Sequence, residues 1–206
     1  VTLLGVCAET KMNFGARVGC AVKPGQNVKL GDALIEKGFQ VNEQMRETYT
    51  KVCKNKVYNN ANKLSPSFVG VLPGNEPKLV TAEATVEEIQ KADSDYRNGF
   101  AAYQDAAIVV LGRCGTEAAD YYPGETGIDP QTGARNALAL TNDERALLAL
   151  AKENFHRVVV LLNTANPMEI GELAADDGID AILWIGFPGN YGTLGIASIL
   201  LSLIHI

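Results

Sequence analysis

Two carboxylates, Glu117 and Asp120, stand three residues apart on a small-residue stretch that begins where an apolar run stops. The run Ile108-Val-Val-Leu111, bounded by Asp105 and Gly112, has the continuous apolar character of a strand buried on both faces. In open α/β sheets, ligands bind on the loops that leave the carboxyl ends of such strands. A carboxyl group there can exchange a proton with a bound molecule, or it can bond the amides of its own loop. Arg113 closes the strand and lies close in sequence to both acids. It is a candidate for a ligand contact or for a salt bridge that holds the loop.

Other chemistries find less support. Gly186-Phe-Pro-Gly189 followed by Gly192 lies between a strand and a helix, where backbone amides can bind an anion. It lacks both the Lys-Ser/Thr of a phosphate-binding loop and the full Gly-x-Gly-x-x-Gly of a dinucleotide site, so it reads as a tight turn that lets the helix pack close. Cys7, Cys20, Cys53 and Cys114 form no C-x-x-C pair and have no neighbouring histidines, which argues against a zinc site. A Cys7–Cys20 disulfide fits the spacing, and idle thiols fit it as well. His156 follows a helix end, where it complements the helix dipole. No serine or cysteine nucleophile has a histidine and an acid to activate it.

Strand and helix signals alternate along the chain, the pattern of a parallel sheet with crossover helices. Val1–Val6 reads as a strand, Val28–Lys37 as a helix stopped by Gly38, and Phe39–Val41 as a short strand. Glu43–Lys56 reads as a polar helix with Met45, Tyr49 and Val52 on one face, and Asn59–Lys78 as irregular loop rich in Asn and Pro. A charged helix is expected over Thr85–Asn98 and a loop over Tyr121–Asn136. Thr141-Asn-Asp-Glu144 has capping-box spacing before a helix that turns Leu147, Leu148, Leu150 and Ala151 to the sheet. Val158–Leu162 reads as a second buried strand and Asn166-Pro167 as a helix start. Ala181–Ile185 follows as a strand with Trp184 in the core, and Gly192–Leu200 as its helix.

The 206 residues suffice for one domain with a sizeable core, and 47% hydrophobic content is that of a globular protein. A formal charge of −6 without a basic run disfavours nucleic-acid or anionic-membrane partners. No stretch reaches the roughly 20 apolar residues of a membrane span. The chain opens without Met inside an apolar strand, so its natural N-terminus is expected upstream. Leu201-Ser-Leu-Ile-His-Ile206 is similar to the translation of a sequencing-library adapter; a genuine helix end is the alternative. Residues 1–200 therefore read as one α/β domain, expected to lack its last strand.

Several segments together resemble the sandwich domain of family 3 glycoside hydrolases, the β-glucosidase family. In that family a V-V-[LI]-[GS]-R strand precedes a G-E-x-x-D turn and, after a variable loop, a helix opening L-x-L-[ST]-x-x-E. This chain has Val109-Val-Leu-Gly-Arg113, Thr116-Glu-Ala-Ala-Asp120 and Leu138-Ala-Leu-Thr-Asn-Asp-Glu144. Further matches are Val158–Glu169 and Asp180–Gly192, and the likeness is specific from about Ala101 to Leu200. Thr116 stands where the family usually has Gly.

The resemblance implies a three-layer α/β/α sandwich with a mainly parallel sheet, of flavodoxin-like or (α/β)6 type. It implies that Glu117 is the acid/base of a retaining β-glycosidase, of β-glucosidase or β-xylosidase type, acting on terminal non-reducing β-D-glycosides. Glu117 would then need a raised pKa, to which Asp120 could contribute. Asp120, Arg113 and Tyr121 are the candidate substrate contacts; Tyr121 and Tyr122 can stack on a sugar ring or pack the loop. In the family the nucleophile is an aspartate of a Ser-Asp-Trp motif on a (β/α)8 barrel. Ser94-Asp-Tyr96 is the nearest match here, but it does not follow a barrel strand. The expected partners are thus that missing barrel and a β-linked oligosaccharide or aryl glycoside, with no metal or cofactor, and the chain alone is expected to be inactive. The competing reading is a non-catalytic α/β module that binds sugar or another protein.

Overall fold

In the computed structural model, residues 1–10, 12, 14, 26–55, 83–113, 138–165 and 167–204 are described. Four parallel strands form one sheet in chain order: β1 (Thr2–Leu4), β2 (Ala107–Gly112), β3 (Val158–Asn163) and β4 (Ala181–Trp184). The register pairs Thr2 with Ala107, Ala107 with Val158, and Val160 with Ile182. Every residue of β2 and β3 is buried. Successive side chains on a strand point to opposite faces, so helices must cover both sides of the central sheet. The expected α/β sandwich is the architecture found.

The helices are α1 (Val6–Glu9), α2 (Leu30–Glu36), α3 (Glu43–Asn55), α4 (Val86–Ala92), α5 (Asn142–Asn154), α6 (Gly171–Ala174) and α7 (Gly192–Ile204). A 3₁₀ segment spans Tyr96–Ala102. α3 packs on β1, α4 and the 3₁₀ segment, α4 on α5, and α5 on β2, while α2 pairs with α7. Met45, Tyr49 and Val52 of α3 are buried at the helical spacing read from the sequence. Arg46, on the other side of α3, bonds Glu9 of α1 at 2.9 Å and Asp32 of α2 at 2.6 Å, tying three helices together. Capping boxes start α4 (Thr85 with Glu88) and α5 (Thr141 with Glu144).

Four local expectations are corrected. Phe39–Val41 forms no strand: the chain passes directly into α3, and Asn42 caps it by accepting the Met45 amide. The charged helix stops at Ala92 because Asp93 is extended and its carboxylate accepts the Asp95 amide, turning the chain into the 3₁₀ segment. Asn166 lies outside the described residues, and no helix starts at Pro167. The Glu169 amide bonds the carbonyl of Leu138 instead, and α6 begins at Gly171. α7 runs on to Ile204, past the expected end at Leu200.

A fifth correction concerns packing, at Trp184. The residue is 65% exposed, not core, because β4 is an edge strand among those described and, unlike the other edge strand β1, its residues are only partly covered. Its indole Nε1 donates to the carbonyl of Thr164 at 2.5 Å, which holds the ring at the sheet edge. Trp184 is the single tryptophan of the sequence, so fluorescence reads this site alone. The native chain should emit like a solvated indole and be quenched efficiently by acrylamide. A blue-shifted, protected emission would mean that the β4 edge is covered in solution.

Candidate functional site

The carboxyl ends of all four strands lie along one edge of the sheet, as parallel pairing requires. Two glycines let the chain leaving β1 settle against the end of β2. Gly5 has φ +105°, and a Cβ there would stand 2.5 Å from the carbonyl oxygen of Val110. A Cβ on Gly112 would stand 2.3 Å from the sulfur of Cys7. α1 therefore rests directly on the last turn of β2.

Arg113 follows β2 and is fully buried. Its backbone amide donates to the carbonyl of Asn163 at the end of β3, at 3.2 Å. Its guanidinium makes a two-pronged pair with Glu144, Nη1 to Oε1 at 2.5 Å and Nη2 to Oε2 at 2.9 Å. The same nitrogens donate to the carbonyls of Gly112 (2.9 Å) and Ala139 (2.8 Å). Glu144 is equally committed: Oε2 also accepts the Thr141 amide at 2.9 Å, completing the capping box. One ion pair thus joins the end of β2 to the start of α5.

Glu117, Asp120, Tyr121 and Tyr122 lie outside the described residues, as does Cys20 of the suggested Cys7–Cys20 pair. What is described is the base of their segment. Arg113 stands immediately before it, and Ala139, Thr141 and Glu144 stand immediately after it, all within one hydrogen-bonded cluster. The sequence suggests a scaffold role for Arg113, and its expected proximity to Glu117 or Asp120 lies outside the described residues. The sequence marks Glu144 as a helix cap and as the end of the L-x-L-[ST]-x-x-E motif, not as a partner of Arg113. The signal that joins them is topological: a strand end and the start of the next helix in a βα unit are neighbours, and both carried a charge of opposite sign.

Asn163 extends the arrangement, donating from Nδ2 to the carbonyl of Gly186 at 2.8 Å. In the glycine-rich turn after β4, Gly186 and Gly189 have φ of +56° and +64°. The Gly189 amide bonds the carbonyl of Phe14, and the Gly192 amide that of Pro188. The Gly192 amide closes the turn, and the Gly189 amide ties it to the chain at Phe14. Among the described residues no group of three His, Cys, Asp or Glu is positioned to hold a metal ion, and no helix is long and apolar enough to cross a membrane.

Removing Glu144 strands a buried guanidinium, whereas removing Thr141 loses only a cap. Glu144→Ala should cost about 3–5 kcal/mol of stability, against about 1 kcal/mol for Thr141→Ala. Urea denaturation of the two variants checks this. Equal losses would mean that the ion pair is not the anchor of this edge.

Comparison with known proteins places this architecture. The model of the glycosyl hydrolase family 3 C-terminal domain matches residues 4–204. A β-glucosidase of Ruminococcus albus is 25% identical over 188 residues, 91% of this chain and 17% of that protein. β-Glucosidase A of Butyrivibrio fibrisolvens is 27% identical over 149 residues, 66% of this chain and 17% of that one. The chain thus spans about a sixth of the length of these relatives. Two solved structures share the fold. A β-glucosidase of Paenibacillus barengoltzii gives a TM-score of 0.64 at 23% identity, covering 96% of this chain and 19% of that one. β-Glucosidase 3B of Thermotoga neapolitana, in complex with glucose, gives 0.65 at 19% identity, covering 98% and 25%. With nearly its whole length matched by the family model, the chain belongs to glycosyl hydrolase family 3, as its C-terminal α/β sandwich domain.

Proposed function

We propose that this chain is the sandwich portion of a retaining β-glycosidase, of β-glucosidase or β-xylosidase type. Its substrates are terminal non-reducing β-D-glycosides, either β-linked oligosaccharides or aryl glycosides. Glycosidic bond hydrolysis needs two carboxyl groups, one to move a proton and one to attack or activate water. Glu117 is the acid/base in this reading. It protonates the leaving oxygen and then takes a proton from the water that releases the covalent glycosyl intermediate. The nucleophile is an aspartate on a (β/α)8 barrel of the longer polypeptide, with the two carboxyls about 5 Å apart as retention demands.

The observation that carries this reading is the family match across residues 4–204. It is supported by the Arg113–Glu144 pair, which holds the residues flanking the Glu117 segment at the carboxyl edge of the sheet. Asp120 and Tyr121 are the proposed sugar contacts. Arg113 is a third candidate; its burial and its guanidinium bonds to Gly112, Ala139 and Glu144 among the described residues favour a role in holding the ends of the segment.

The test uses the gene extended to include its barrel. Glu117→Gln should lower hydrolysis of an unactivated disaccharide by roughly 10²- to 10⁴-fold. An aryl glucoside with a good leaving group needs no proton, so its cleavage should be rescued by azide, with a glycosyl azide as product. Near-normal activity on both substrates would remove Glu117 from the chemistry and favour a non-catalytic sugar-binding module.

A further inference from the structure

Glu83, two residues before the Thr85 cap of α4, is a carboxyl group in the core, 4% exposed. Both of its oxygens accept the Val6 amide, each at 3.1 Å, and Oε1 also accepts the Ala84 amide at 2.8 Å. Val6 opens α1, so this side chain holds the chain as it leaves β1. It does so beside Gly5, whose missing Cβ would lie 3.5 Å from Oε2. None of these bonding partners is a cation.

The groups that face Glu83 make a charge there harder to keep. α1 and β2 present backbone at this point, the Val6 amide beside Gly5 and the Val110 carbonyl facing it. α3 presents Tyr49, whose hydroxyl is buried beside the Gly5 amide. Cys53 of α3 and Tyr96 of the 3₁₀ segment lie beyond Tyr49. α5 presents two acids, Glu144 and Asp143, the first of them paired with Arg113. An ionised carboxylate in such a place lacks the partner that buried charges need, and two amide bonds only partly replace water.

We propose that Glu83 is carried neutral in the folded chain and acts as a proton-operated latch on the exit of β1. With the proton on Oε2, the carboxyl still accepts the Val6 and Ala84 amides through Oε1 and closes the β1 exit onto β2. When that proton leaves to solvent, an uncompensated negative charge faces Tyr49 and the α5 acids, and the latch loosens. Burial supports this, pushing the Glu83 carboxyl up to about 8, although the Ala84 and Val6 amides act in the opposite direction. The device belongs to the chain itself and does not depend on the hydrolase reading.

The direction of the pH effect follows from the sign of the shift. The folded value, about 8, lies above the ordinary 4.5 of the unfolded chain, so the folded state holds the proton more tightly. Stability from this group is complete below about pH 4.5, falls as pH rises through the interval, and levels off above about 8. Glu83→Gln keeps the acceptor and removes the titration. The urea midpoint of the native chain should therefore fall relative to that of Glu83→Gln between about pH 5 and pH 8. Parallel curves across that interval would overturn the proposal. Should the variant fail to fold, ¹³C-carboxyl NMR of the native chain decides: one glutamate titrating near pH 8 supports the latch, and ionisation of every glutamate below pH 6 refutes it.

Discussion

The buried pair between Arg113 and Glu144 is the interaction on which the carboxyl edge of this sheet depends. Lysine could not replace the arginine. The planar guanidinium meets both carboxylate oxygens and still reaches the carbonyls of Gly112 and Ala139. Both charges leave water completely, so the net contribution of the pair to stability is smaller than its short distances suggest. Its value is geometric. It makes the end of β2, the Ala139 carbonyl and the first turn of α5 a single unit, so the residues between them begin and end at fixed points. Glu144 serves twice, as helix cap and as counter-ion, which couples formation of α5 to closure of the β2 exit.

From this pair the bonding continues across the sheet. Glu83 holds Val6 beyond β1, and Cys7 packs against Gly112 at the end of β2. Arg113 bonds the carbonyl of Asn163 at the end of β3, Asn163 bonds that of Gly186 beyond β4, and Trp184 bonds that of Thr164. Each strand exit is thus held by a residue distant in sequence: that of β1 by Glu83 before α4, those of β3 and β4 by residues of a neighbouring strand or its loop. Loops usually carry function because a rigid scaffold positions them, and here the scaffold extends one or two residues past each strand.

The parts legible in the sequence are those governed by local physics. Ile108–Leu111 and Val158–Leu162 are continuous apolar runs, and each became a strand buried on both faces. Thr141 and Glu144 have the spacing of a cap, and the cap formed. What failed depended on neighbours distant in the chain. Trp184 looks like core in any apolar strand, and only strand order reveals that β4 stands at the edge. Phe39–Val41 has strand-like residues, but Asn42 diverts the chain into a helix cap. Glu83 gave no signal at all, because an acid between a loop and a helix start looks solvated until the packing of α3 and α5 around it is known.

The division of labour in the proposed function follows from the same arrangement. An acid/base carboxyl must hold a proton at the pH at which its partner carboxyl is ionised, and the two must stand about 5 Å apart. One environment cannot easily do both, since the burial that raises one pKa raises the other. Placing the acid on a segment of the sandwich and the nucleophile on a separate barrel, as proposed, would give each its own surroundings. The separation between them would then be set by how the two domains dock and by how firmly each presents its residue. On the sandwich side, that firmness begins at Arg113 and Glu144, where the Glu117 segment leaves the sheet and returns to it.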